Sequence, residues 1–157
     1  MFDQINGLPV HALVLHAAVI FVPLLAAGAI VYALVAAWRP RIAWALVLLA
    51  IVAPSAAFVA KLSGEKLYDR LIAQGLKGPG KAILDDHMGF GSMTVWFALG
   101  LGIVSLVMVA MTMRRSGTLP KAAEWGMAVV MIVLAGFSGY YVYRTGDSGA
   151  TAVWGTY

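Results

Sequence analysis

"LPVHALVLHAAVIFVPLLAAGAIVYALVAAW", residues 8–38, holds no Asp, Glu, Lys or Arg. A helix rising about 1.5 Å per residue needs about 20 mainly apolar residues to cross a bilayer. The stretch therefore predicts a transmembrane helix from about Pro9 to Trp38. His11 and His16 are its only ionisable side chains besides Tyr32, and they raise the question of function.

Three more segments meet the same criterion, at about Ile42–Leu62, Gly89–Met113 and Ala122–Tyr143. Of the 157 residues, 62% are hydrophobic and 11% charged, with a mean hydropathy of +0.88. Soluble domains lie nearer half apolar and a quarter charged. The expected fold class is an all-α integral membrane protein, one four-transmembrane-helix bundle filling residues 1–157. Pro23 and Pro54 fall inside spans and predict kinks. The pairs Ala53/Ala57, Ala56/Ala60, Ala98/Gly102 and Ala135/Gly139 predict close helix approach. No internal repeat stands out.

With no cysteine, disulfides, Cys-ligated zinc, iron–sulfur clusters and c-type haem attachment are excluded. The net charge of +4 comes from basic residues placed between apolar runs, a pattern of membrane topology and not of nucleic-acid binding. Asp3, with no basic residue before a long apolar run, argues against a cleavable signal peptide. Arg39 and Arg41 lie in the first gap, and Arg114, Arg115 and Lys121 in the third. They predict cytoplasmic loops there and both termini extracytoplasmic. In the 63–86 gap Lys66, Arg70, Lys77 and Lys81 are mixed with Glu65, Asp69, Asp85 and Asp86. "GLKGPGK" (75–81) lacks phosphate-loop spacing and reads as a flexible loop. "GDSGATAVW" (146–154) reads as a glycine-rich turn after the last helix, not as a serine nucleophile. Asp85 or Asp86 is a candidate cap for the third helix.

Depth can be counted from the basic residues of the first and third gaps. His11 and His16 precede Arg39 by about 42 and 34 Å of helix, and His87 precedes Arg114 by about 40 Å. Glu65 follows Arg41 by about 36 Å and Asp147 follows Lys121 by about 39 Å, if their helices continue. All five fall in one layer, with Arg144, Tyr140, Tyr141 and Tyr143. Ionisable groups at membrane depth are functional candidates by default. The alternative is a belt of interfacial aromatics and helix caps. Five residues turn a helix by about 140°, so His11 and His16 do not share a face; one is expected to face the interior and meet His87.

Two chemistries suit such a pair. One is b-type haem with axial imidazoles from two helices. His87 is one expected ligand, His16 its preferred partner because it lies deeper, and His11 the alternative. Gly89, Gly91, Ala17 and Ala18 would give clearance, and Arg144 would hold a propionate. The other is a zinc or copper ion held by His11 or His16, His87 and a carboxylate from Glu65 or Asp147.

The stretches "NGLPVHALVLHAAV" (6–19), "SGEKL" (63–67), "DDHMG" (85–89) and "YVYRTGDSGATAVW" (141–154) resemble a family of small bacterial four-helix membrane proteins of unknown function, most closely its actinobacterial branch. The common form has His-Pro where this chain has His11-Ala12, and often a histidine where it has Thr145 or Asp147. The family is similar in topology to membrane b-type cytochromes, and relatives occur fused to cytochrome-c-like domains. The resemblance implies redox work in the bacterial inner membrane. The implied partners are the lipid bilayer, a quinone or external electron carrier, and a homo-oligomer or larger membrane complex. It places the family's polar positions on His11, His16, Glu65, His87, Arg144 and Asp147.

Overall fold

A computed structural model describes residues 4–5, 8–114 and 119–155. Asp3 and Arg115, used above as charge markers, lie outside them. A short antiparallel pair, β1 (Gln4–Ile5) and β2 (Leu8–Pro9), leads into α1 (Val10–Leu34). A 3₁₀ turn (Ala36–Trp38) follows, then α2 (Arg39–Ala73), α3 (Pro79–Arg114) and α4 (Lys121–Trp154). All four α-helices are long and apolar enough to cross a membrane. Each packs against its chain neighbours and α1 also packs on α4, so α1 and α3 face each other across the bundle diagonal.

Three of the four helices outrun the expected spans. The helix α2 continues to Ala73, α3 starts at Pro79, and α4 runs to Trp154. The apolar criterion sees only the part in hydrocarbon; the overhangs are polar and still helical. "GLKGPGK" is therefore a defined stop and start, not a loose loop. Gly75 at φ 94° ends α2, with Leu76 N–H donating to Leu71 O and Gly75 N–H to Ile72 O, the Schellman pattern that needs a left-handed residue. Gly78 at φ 68° turns the chain, and Pro79 opens α3, where its missing N–H costs nothing. Asp85 and Asp86 lie inside α3 and cap nothing. "GDSGATAVW" is helix, not turn. The helices α1 and α2 continue through Pro23 and Pro54.

Arg41 to Lys61 on α2, and Glu124 to Arg144 on α4, bound charge-free stretches of about 30 Å, the thickness of a hydrocarbon core. Within this slab Val22, Leu25, Ala29, Leu46, Ala53, Ala98, Leu101, Met108 and Met131 are buried. A Cβ on Gly102 would stand 2.6 Å from the Ala50 carbonyl oxygen, so α2 and α3 meet backbone to backbone only because that residue is glycine.

One end of the slab is closed by Arg39. Counted above as a marker of the membrane surface, it is instead only 3% exposed. Its Nε and Nη2 donate to Tyr32 O and Ala33 O, both at 2.9 Å, satisfying carbonyls that the end of α1 leaves unpaired. Its Nη1 pairs with Glu124 Oε1 of α4 at 2.6 Å. Tyr32 Oη lies 2.6 Å from Thr112 Oγ1 of α3. The cluster ties all four helices together.

Candidate functional site

The other end holds the histidines. His11 is in the first turn of α1 and His87 is eight residues into α3. Coming from diagonal helices, their rings meet with centroids 6.1 Å apart and planes at 89°. They lie just beyond the levels of Lys61 and Arg144, at headgroup depth.

Each imidazole is seated in the same way. His11 Nδ1 donates to Ala60 O of α2 at 2.9 Å, with Ser63 Oγ at 3.3 Å. His87 Nδ1 donates to Thr145 O of α4 at 3.0 Å, with Ser148 Oγ at 3.1 Å. A carbonyl only accepts, so Nδ1 of each ring carries the proton and Nε2 of each neutral ring keeps its lone pair. Each ring also lies on a glycine. A Cβ on Gly64 would come within 3.1 Å of His11 Cε1, and one on Gly149 within 3.0 Å of His87 Cε1. The seat is thus Ala60-x-x-Ser63-Gly64 on α2 and Thr145-x-x-Ser148-Gly149 on α4. The hairpins α1–α2 and α3–α4 are equivalent halves of the site, where the sequence suggested no repeat. A shared Ser-Gly at matching depth was the only signal.

Ser148 and Ser63 are not nucleophiles in this arrangement. Their hydroxyls donate to helix carbonyls, Ser63 to Ala60 O and Ser148 to Arg144 O and Thr145 O. A ring nitrogen that already holds its proton against a carbonyl is no base for them. Below the pair, Thr94 Oγ1 and Thr145 Oγ1 share a hydrogen bond of 3.1 Å.

His16, expected as the preferred partner of His87, does not approach it. It is exposed on the outside of the bundle, and its Nδ1 is satisfied at 3.0 Å by Ala12 O, one turn back on its own helix. The 140° offset forced a choice, and it falls on His11. Glu65 turns to Lys61 on its own helix, and Asp147 is exposed. Among the described residues no three His, Asp or Glu side chains gather to hold an ion. The His-plus-carboxylate set expected for zinc or copper is therefore not brought together. Arg144, expected to hold a propionate, has Tyr140 Oη at 3.2 Å and lies over the Phe90 ring at 4.5 Å, away from the histidines. The small residues expected to give clearance do not surround the pair either. Gly89 has open space beside it, Gly91 faces Thr145, and Ala18 is packed in the core. Asp85 instead joins the α2 and α3 overhangs, accepting from Tyr68 Oη and Lys81 Nζ.

No curated protein and no solved structure matches the chain. One family model does, over residues 7–156. With four helices long and apolar enough to cross a membrane, this is a multi-pass membrane protein that belongs to the family described as predicted membrane protein, DUF2231.

Proposed function

We propose that the protein is a b-type-cytochrome-like electron carrier in which His11 and His87 would hold one haem. The observation that carries this reading is the pair itself: two imidazoles meet across the bundle, each with Nδ1–H fixed by a carbonyl. That bond sets the tautomer and orients Nε2, as it does in most histidines that bind metals. The donor set also fits. Haem iron brings its own equatorial nitrogens and asks the protein for two ligands, which is what the site offers. Zinc asks for three or four protein ligands, and no third joins the pair among the described residues.

The haem would supply one-electron chemistry. The chain's own part is to hold two neutral imidazoles, to back them with Gly64 and Gly149, and to keep carboxylates away. We place the histidine end outside the bacterial inner membrane. Among the described residues the opposite end carries Arg39, Arg41, Arg114 and Lys121 against the acid Glu124, the bias of a cytoplasmic face. The carrier's redox partner would be a quinone or an external electron carrier, with the chain working alone, as a homo-oligomer or as a subunit of a larger assembly.

The test is an optical spectrum of the purified chain with elemental analysis. Split b-type bands on reduction, lost in His11→Ala and His87→Ala and kept in His16→Ala, support the reading. A flat visible spectrum with stoichiometric copper or zinc overturns it in favour of an ion on the same two rings. A flat spectrum with no metal leaves a cofactor-free accessory subunit.

A further inference from the structure

The membrane-facing side of α4 carries a feature that the histidines do not explain. Ile132, Val133, Gly136, Phe137 and Tyr140 form a shallow apolar groove, wide open along one face of α4. Gly136 has nothing within 4 Å of its Cβ position, so the groove is open over it. Its floor follows one helix face, and Arg144 stands one turn above Tyr140 on the same line. From Ile132 to Arg144 the line is about 18 Å long, rising from within the charge-free slab to its boundary.

The top of the line is built for an anion. Arg144 Nη1 donates to Tyr140 Oη at 3.2 Å, which leaves the phenolic proton and the remaining guanidinium N–H groups to donate outward. The guanidinium lies over Phe90 at 4.5 Å, so its direction is set. It forms no ion pair with a carboxylate among the described residues. Phe137 and Tyr140 are held from behind by a ring stack: Phe137 on Phe97 at 4.9 Å, Phe97 on Tyr141 at 5.2 Å, and Tyr141 against Tyr140 at 5.2 Å. The groove wall is therefore rigid, and an occupant gives up little to order it.

We propose that this face binds one anionic phospholipid, its phosphate on Arg144 and Tyr140 and an acyl chain over Gly136. A guanidinium and a phosphate make strong paired hydrogen bonds, and a cation that forms no ion pair among the described residues, Asp147 three residues on included, favours a charged head over the neutral carbonyl of a quinone. The groove below runs in the direction an acyl chain takes from that head.

Native mass spectrometry of the full chain in detergent tests this, with phosphatidylglycerol and phosphatidylcholine as probes. The wild type should retain phosphatidylglycerol about fivefold better, the increment of one basic residue at an anionic surface. Arg144→Gln should abolish the preference, Arg144→Lys should keep part of it, and Gly136→Leu should weaken both lipids by filling the groove. The thermal midpoint, measured without lipid, should stay at the wild-type value in the Arg144 variants and should not fall in Gly136→Leu, which separates lost binding from lost folding. Equal retention of the two lipids by the wild type, or an unchanged preference in Arg144→Gln, overturns the proposal. So does displacement of phosphatidylglycerol by a short-chain ubiquinone whose own binding Arg144→Gln leaves intact.

Discussion

The two ends of the bundle bury polar groups by opposite rules. At the Arg39 end, Nε and Nη2 donate to carbonyls, and Nη1 stands 2.6 Å from Glu124 Oε1 in an ion pair between helices. At the histidine end each ring is tied by one nitrogen only. The first end is a charge paired across helices. The second is two half-buried imidazoles that face each other with no charge between them, at a cost in desolvation.

The comparison breaks first at Arg39. Replacing it by Ala strands the Tyr32 and Ala33 carbonyls and leaves Glu124 without its cation. Removing one member of a buried pair costs about 3–5 kcal/mol. Arg39→Ala should lower the unfolding midpoint in detergent more than any histidine variant, while the protein that stays folded keeps the proposed haem. A cofactor loss larger than the loss of fold would show that the two ends are coupled.

Next come the histidines. His11→Ala and His87→Ala each free one carbonyl that the adjacent serine still serves, so the fold should lose only about 1–2 kcal/mol. The cofactor signal should vanish in both, because neither ring has a substitute within reach. Equal effects of the two variants would sharpen the equivalence of the two hairpins. A variant that lost the signal only at His87 would break it.

Smaller effects test the glycine seats. Gly64→Ala and Gly149→Ala push a methyl against a ring at 3.1 and 3.0 Å. The ring has to shift by a few tenths of an ångström, at about 1–3 kcal/mol if it cannot. Both should reduce cofactor retention. Gly146→Ala, one turn from Gly149's level and in open space, should instead stabilise α4 by about 0.5–1 kcal/mol. Thermal midpoints read beside the spectrum separate the three.

Much of this molecule was legible in the sequence. Apolar runs fix the four spans because the bilayer sets one length for all of them. The overhangs were not legible by the same rule. "SGEKLYDRLIA" at 63–73 and "PGKAILDD" at 79–86 are helical in water, where polarity is no signal against helix. Depth counting put His11 and His87 at one level, and in the structure their rings meet. It said nothing about azimuth, so it offered Glu65, Asp147 and Arg144 as companions, although the structure turns each of them elsewhere. The serine–glycine seats escaped because two matching residues in each half are too few to read as a repeat.

His16 is expected to have the smallest effect, and it is the most discriminating. By depth alone it was the better ligand, lying further into the span and flanked by alanines. Depth made an unpaired imidazole look expensive there. The structure removes that expense locally, since Ala12 O takes its Nδ1–H within one turn. A side chain satisfied by its own helix asks nothing of the bundle, whatever its depth. His16→Gln should therefore move stability by no more than about 0.5 kcal/mol and leave the reduced spectrum unchanged in position and intensity. Loss of that spectrum in His16→Gln, with the fold intact, would put the iron on the outer ring and overturn the pairing of His11 with His87.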